Sequence, residues 1–180
     1  SKVFRFSKVR GFENESTIWR DAVAEGQVWY QWQVPCAACG TMQLMDDERI
    51  VALNKSKDAR EILKEDLARY ECESCGYHWT DQARRLALGR GEWVPNRNPE
   101  GASSVVFHLR AWESPLIPLS RVLHEWFAAQ GDPYKLRRYD NNVRAVPAKL
   151  VVSETNEANV SLLYQALCWS VSFQTRYQPA

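Results

Sequence analysis

Two short stretches decide how this chain is read: Cys36-Ala37-Ala38-Cys39-Gly40 and Cys72-Glu73-Ser74-Cys75-Gly76, two copies of CxxCG with 32 residues between Cys39 and Cys72. A CxxC turn lets two thiolates converge on one ion, and the glycine behind it is expected to relieve crowding where backbone amides turn toward the sulfurs. Two such turns complete a tetrahedron. With all four positions filled by sulfur no place is left for water, so the site predicted from Cys36, Cys39, Cys72 and Cys75 is structural and not catalytic, with Zn2+ as the expected ion. Disulfides fit poorly in a chain without a secretion signal, and a redox CxxC needs only one pair. A rubredoxin-type iron site uses the same two knuckles and stays as an alternative. The length of sequence beyond the site exceeds what a minimal electron carrier needs, which favours zinc.

Working outward from the knuckles, Trp29-Tyr30-Gln31-Trp32-Gln33-Val34 is aromatic and β-branched and leads into the first, while Thr41-Met42-Gln43-Leu44-Met45 leaves it. Together they predict a hairpin. Ala68-Arg69-Tyr70-Glu71 and Tyr77-His78-Trp79-Thr80 repeat the pattern around the second. Residues 56–68 carry Ile62, Leu63 and Leu67 at helical spacing among charges and predict a helical insertion. Thr80 or Asp81 caps a short helix ending near Gly89 and Gly91, and Glu92-Trp93-Val94-Pro95 closes the module.

A loop from Asn96 to Gly101 marks a boundary, after which Ser104 to Leu109 reads as a strand. Leu119, Val122, Leu123, Trp126 and Phe127 give i, i+3, i+4, i+7, i+8 spacing, one amphipathic helix stopped by Gly131. Asp132-Pro133 starts another, expected to halt at Asn141-Asn142. The fold class expected is therefore α+β: a zinc ribbon of small antiparallel hairpins with a helical insertion, followed by a strand and a helical linker unit. The expected division is 1–28 as the exit from an upstream domain, 29–95 as the ribbon module, 96–147 as strand plus helix pair, and 148–180 as a tail. In that tail Ser153 is a possible helix cap ahead of Leu162, Leu163 and Leu167, and Cys168 reads as an inert core thiol.

Charge excludes little. Lys plus Arg number 23 against 22 Asp plus Glu, so the net charge of +1 gives no global attraction to nucleic acid. Any such preference is local, and Arg84, Arg85 and Arg90 are the candidate nucleic-acid contacts. Acids such as Asp46-Asp47-Glu48 read as solvated surface, and His78, His108 and His124 as structural histidines with no nucleophile or carboxylate pattern beside them. No phosphate-binding GxxxxGK[ST], HExxH, GxSxG or GxGxxG motif occurs, so no catalytic residue is assigned and the chain alone is expected to be inactive. No run approaches the roughly 20 apolar residues needed to span a bilayer, and a cytoplasmic protein with no membrane partner is expected. The chain starts at Ser1 instead of Met, as expected of a piece of a longer protein.

Five pieces in order carry a family resemblance: the stretch from Phe6 to Ile18; Trp29 to Gly40, with Val34-Pro35 directly before the first knuckle; Ala68 to Gly76 with Gly91-Glu92-Trp93-Val94-Pro95; Ser104 to Pro115; and Leu123 to Asp132 with Leu136 and Asn141-Asn142. Over residues 6 to 147 the chain resembles the lambda-type bacteriophage terminase large subunit, the ATP-driven motor and nuclease that packages and cuts phage DNA. The resemblance implies a connector lying between an N-terminal ATPase and a C-terminal endonuclease. The parent would use ATP and Mg2+ in the host cell cytoplasm, with double-stranded DNA, the small terminase subunit and the portal as partners. The resemblance implies that neither catalytic domain lies in these 180 residues, and no family catalytic residue carries over. Residues after Val151 depart from the family's run into the nuclease, as a truncated or frame-shifted prophage remnant would. A free-standing zinc-ribbon nucleic-acid-binding protein is the alternative from the residues alone.

Overall fold

The computed structural model describes residues 7–12, 16–24, 27–102 and 104–148. The chain divides into two units, Ser1–Lys149 and Leu150–Ala180, and every described residue belongs to the first. The expectations for Ser153, for Leu162, Leu163 and Leu167 and for Cys168 lie outside the described residues.

The α+β class holds, with helices set around two small sheets. The first is organised by β1 (Gln27–Pro35), long enough to pair three partners. β2 (Met42–Leu44) and β6 (Glu92–Pro95) run antiparallel to it, with Gln33 opposite Leu44 and Trp32 opposite Trp93. The hairpin expected around the first knuckle is therefore present. β7 (Ser104–His108) lies parallel to β1, with Val28 opposite Val105 and Tyr30 opposite Phe107. The strand expected after the loop thus joins the ribbon's own sheet, a placement that local propensity does not encode.

Rings explain the pairing. Tyr30 stacks on Phe107 at 5.0 Å, Phe107 meets Trp93 edge-on at 5.0 Å, and Trp93 meets Trp32 at 5.1 Å, the cross-strand aromatic pairs that stabilise sheets. On the alternate side chains Trp29 and His108 pack at 5.7 Å beneath Trp19 of α1 (Thr17–Val23), and Trp29 Nε1 donates to the Ala22 carbonyl at 3.0 Å. Gly91 is fixed by space: a Cβ there would sit 2.6 Å from the Trp32 ring and 2.7 Å from the Gln33 carbonyl.

The second sheet has the order β3-β4-β5, from Ile50–Ala52, Ala68–Glu71 and His78–Trp79, all antiparallel. β4 and β5 are the hairpin expected around the second knuckle. β3 is new: three residues after the Asp46–Glu48 acids, too short to carry a period. The expected insertion helix is α2 (Ala59–Lys64), capped by Asp58, whose carboxylate accepts from the amides of Arg60 at 2.8 Å and Glu61 at 3.2 Å. Those amides, Glu61 first, hold the Asp58 carboxyl below its ordinary range.

α3 (Asp81–Leu88) begins where expected, with Thr80 accepting from the Ala83 amide at 3.2 Å. α4 (Leu119–Ala129) buries Leu119, Val122 and Leu123, and α5 (Pro133–Tyr139) takes Asp132 as its cap. The expected stop at Asn141-Asn142 is not there. The helix runs on as a π turn, Asp140–Arg144, and ends at Ala145 in the left-handed region with φ 55. Asn141 is buried, and its side-chain amide donates to the carbonyls of Gly11 at 3.2 Å and Val146 at 3.3 Å. A side chain spent on distant carbonyls does not compete with its own helix.

Asp46-Asp47-Glu48 is likewise more than solvated surface. Asp47 accepts from Arg144 Nε at 2.7 Å and from the hydroxyl of buried Tyr139 at 3.1 Å, joining the acid turn to the end of the helix pair.

The nucleic-acid role expected for Arg84 is corrected here. Its side chain is 0 % exposed, and its guanidinium donates to the carbonyls of Trp112 at 2.6 Å, Ser114 at 2.9 Å and Ile117 at 2.7 Å, and to Asp81 at 2.8 Å. The same Asp81 carboxylate accepts from the Leu119 amide at 3.3 Å, serving as the cap α4 lacks in its own sequence, since Pro118 precedes it. A phosphate has nothing left to take. Arg84→Met strands three carbonyls and a carboxylate, so we expect it to lower unfolding stability by about 3–5 kcal/mol in a denaturant titration. Arg85→Met, on the exposed side of the same helix, should change it by under about 0.5 kcal/mol.

Candidate metal centre

The two knuckles repeat one backbone geometry. In the first, the Cys36 amide donates to the Thr41 carbonyl at 2.9 Å and the Gly40 amide to the Cys36 carbonyl at 3.0 Å. In the second, Cys72 to Tyr77 and Gly76 to Cys72 are both 3.0 Å. Closing that turn needs a left-handed residue after the second cysteine, and Gly40 and Gly76 supply it with φ of 73 and 68. No atom lies within 4 Å of where their Cβ atoms would be. Backbone conformation, and not the crowding expected, is what requires glycine there.

β1 and β2 present one knuckle and β4 and β5 the other, and the four sulfurs all lie within 4.8 Å of one another. Cys36 Sγ is 3.8 Å from Cys75 Sγ, and Cys39 Sγ is 3.9 Å from Cys72 Sγ. A tetrahedral ion with metal–sulfur bonds of about 2.3 Å spaces its ligands about 3.8 Å apart, so the donor set fits a four-thiolate ion. Cys36 and Cys72 are buried and Cys39 and Cys75 exposed, which gives the cluster one packed side and one wet side.

Four thiolates at this distance repel unless a cation sits among them. The sulfurs are held unequally: the Thr41 hydroxyl, 3.3 Å away, and then its amide hold Cys39 down to about 6. At Cys75 the Tyr77 amide pulls downward, but desolvation and the neighbouring thiols outweigh it and push the group up to about 12. Burial pushes Cys72 up, and the amides of Cys75 and Ser74 with the Gln43 side chain bring it down.

Gln43 is a supporting residue that spacing alone does not reveal. It is buried; its Nε2 reaches Cys72 Sγ at 3.5 Å and its Oε1 accepts from the Glu73 amide at 3.1 Å, so it ties the first hairpin to the second knuckle. The one sequence signal for it is a polar residue at a central position of a strand leaving a knuckle. The histidines stand apart from the sulfurs in their bonding: His108 Nε2 pairs with the Ala145 carbonyl at 2.9 Å, His124 Nδ1 with the Ala59 carbonyl at 2.8 Å, and His78 lies 3.7 Å from Glu71.

Of the three candidate nucleic-acid contacts, Arg84 is buried, as described above. Arg85 and Arg90 are exposed and flank Leu86 and Gly89 in a shallow depression at the end of α3.

Two outcomes follow for the centre. Gly40→Ala or Gly76→Ala should cost about 1–2 kcal/mol through the left-handed backbone alone, read as roughly a ten-fold weaker metal affinity in a chelator competition. Because the ligands bind as thiolates, binding releases protons, and affinity measured across a pH series should fall as the pH falls.

Residues 7–93 match the family model described as phage terminase large subunit gpA, ATPase domain. That stretch contains both knuckles and all of β1 to β5, and over it the chain is terminase large subunit-like. No curated protein and no solved structure matches the chain.

Proposed function

We propose that this terminase large subunit-like segment acts in phage DNA packaging as a zinc-stapled, non-catalytic ribbon that joins moving parts of the packaging motor. What carries the proposal is one coincidence: a four-sulfur cluster of tetrahedral spacing inside the stretch that matches the large-subunit family. Zinc suits the centre because four thiolates close its coordination shell and leave no position for substrate. When bound it supplies no reaction. The chain's own residues do the rest: Cys36, Cys39, Cys72 and Cys75 would hold the ion, Gln43 and Thr41 orient the sulfurs, and Arg84 with Asp81 fastens the ribbon to the helix pair.

The matched family carries an ATPase domain in its description, which supports ATP use by the parent large subunit, with Mg2+ as the proposed accompanying ion. Because residues 7–93 match the ATPase-domain model itself, the ribbon is proposed to lie at the edge of that domain toward the endonuclease, with double-stranded DNA, the small terminase subunit and the portal as the parent's partners in the host cytoplasm. The division at residues 28, 95 and 147 is part of the same proposal, with 29–95 as the ribbon. No helix among the described residues is long and apolar enough to cross a membrane.

A second reading, a free-standing zinc-ribbon protein that binds nucleic acid, is favoured by Arg85 in α3 and Arg90 just past its end, two exposed cations with no carboxylate bonded to either among the described residues. Elemental analysis should find about one zinc per chain, lost in Cys36→Ser and Cys72→Ser. The pure chain should show neither ATP turnover nor metal-dependent DNA cleavage; detecting either contradicts the connector. Tight, salt-sensitive DNA binding abolished by Arg85→Ala with Arg90→Ala would select the second reading. A visible absorption band with a reversible redox couple would mean iron.

A further inference from the structure

The four sulfurs differ in what covers them. Cys36 and Cys72 are buried, and each meets a donor: the Ala38 amide lies 3.4 Å from Cys36 Sγ, and the Gln43 side-chain amide 3.5 Å from Cys72 Sγ. Cys39 and Cys75 are exposed. Of these two, Cys39 has the Thr41 hydroxyl at 3.3 Å, with Ser74 Oγ standing 3.5 Å behind that hydroxyl. Cys75 Sγ meets no hydroxyl and no side-chain amide among the described residues.

Those differences rank the sulfurs as nucleophiles. A thiolate held by a cation stays deprotonated at neutral pH, and it reacts where a small oxidant can reach it. A hydrogen bond to the sulfur lowers its nucleophilicity along with its basicity. Burial removes Cys36 and Cys72 from first attack, and the hydroxyl slows Cys39. Cys75 is the most open of the four.

Its resolving partner lies across the cluster. Cys36 Sγ, on the other knuckle, is 3.8 Å from Cys75 Sγ, and a disulfide of about 2.05 Å needs the two sulfurs to close by under about 2 Å. The remaining pair, Cys39 and Cys72, stands at 3.9 Å, again between knuckles.

We propose that the cluster is a site of thiol oxidation by hydrogen peroxide, entered at Cys75 and resolved by Cys36. The Cys75 sulfur attacks one peroxide oxygen: an S–O bond forms, the O–O bond breaks, and the departing hydroxide takes up a proton and leaves as water. Cys75 is then a sulfenic acid. Cys36 attacks that sulfur, forming the S–S bond and breaking the S–O bond, and the second hydroxide takes up a proton and leaves as water. Two thiolates have given two electrons to one peroxide, and two protons have been consumed. With two of four ligands gone the cation is released, and a second peroxide joins Cys39 to Cys72 in the same way. Both links run from one knuckle to the other, so the oxidised chain keeps its hairpins tied after the ion has left. The inference rests on the four-thiolate zinc reading and is independent of any role in packaging.

The test is a hydrogen peroxide titration of the full zinc-loaded chain, with metal content measured beforehand. Released zinc is read with a colorimetric chelator, and disulfides are mapped after the remaining thiols are blocked. Trypsin separates the outcomes, because Cys36 and Cys39 share the fragment 21–49 and Cys72 and Cys75 share the fragment 70–84. We expect the two fragments joined, with Cys36–Cys75 exceeding Cys39–Cys72 about ten-fold as the first link, zinc lost in step with it, and both changes reversed by a thiol reductant with added zinc. In Thr41→Val, which keeps all four ligands, the Cys39–Cys72 link should rise to about the yield of Cys36–Cys75. Links within a knuckle, which leave the fragments separate, overturn the proposal. So do sulfinic acids in place of disulfides, equal first links in the unaltered chain, or zinc and thiols that survive excess peroxide. A preparation that arrives without zinc contradicts the metal reading before any peroxide is added, and the disulfide map of that same chain still decides the pairing.

Discussion

The four sulfurs are the junction on which the rest is built. The first sheet and the second share no strand, and each knuckle belongs to a different one. Where Cys36 and Cys39 meet Cys72 and Cys75 the two hairpins converge on a point, with Gln43 bridging them alongside. Structural zinc in peptides is worth about 10–16 kcal/mol apparent, as large as the stability of a whole domain. A centre of that size can hold together two sheets of three and four strands that would be marginal alone.

A second fastening completes the frame at the start of α3. Arg84 brings the carbonyls of Trp112, Ser114 and Ile117 onto that helix, while Asp81 caps α4. The first turn after the second knuckle is thereby locked to the start of the helix pair. Further along, Asp47 and Arg144 close the loop between the acid turn and the π segment. The sulfur cluster, the second knuckle, α3 and α4 form a continuous chain of contacts, a mechanical property that suits the proposed connector.

Much of this is legible in the residues. Paired CxxCG names the ligands because thiolate geometry leaves few alternatives, and the capped, periodic helices α3, α4 and α5 start where Thr80, the apolar spacing and Asp132 place them. What escapes is long-range. The parallel pairing of β7 depends on Tyr30 meeting Phe107 across the sequence, and β3 is too short for a pattern. Arg84 looks identical to Arg85 in sequence, yet one faces three carbonyls and the other faces water. Gln43 and Asn141 show the same limit: polar side chains whose partners lie 29 and 130 residues away read as surface until the fold supplies those partners.

The central claim is that the metal holds both sheets, and thermal unfolding of the loaded chain against the same chain stripped by a chelator tests it most directly. Indole and amide signals from Trp93 in the first sheet and Trp79 in the second serve as separate reporters. The account predicts one cooperative transition at both sites in the loaded protein and loss of both on stripping. A stripped chain that keeps either sheet folded, with an unchanged transition at its reporter, would contradict it.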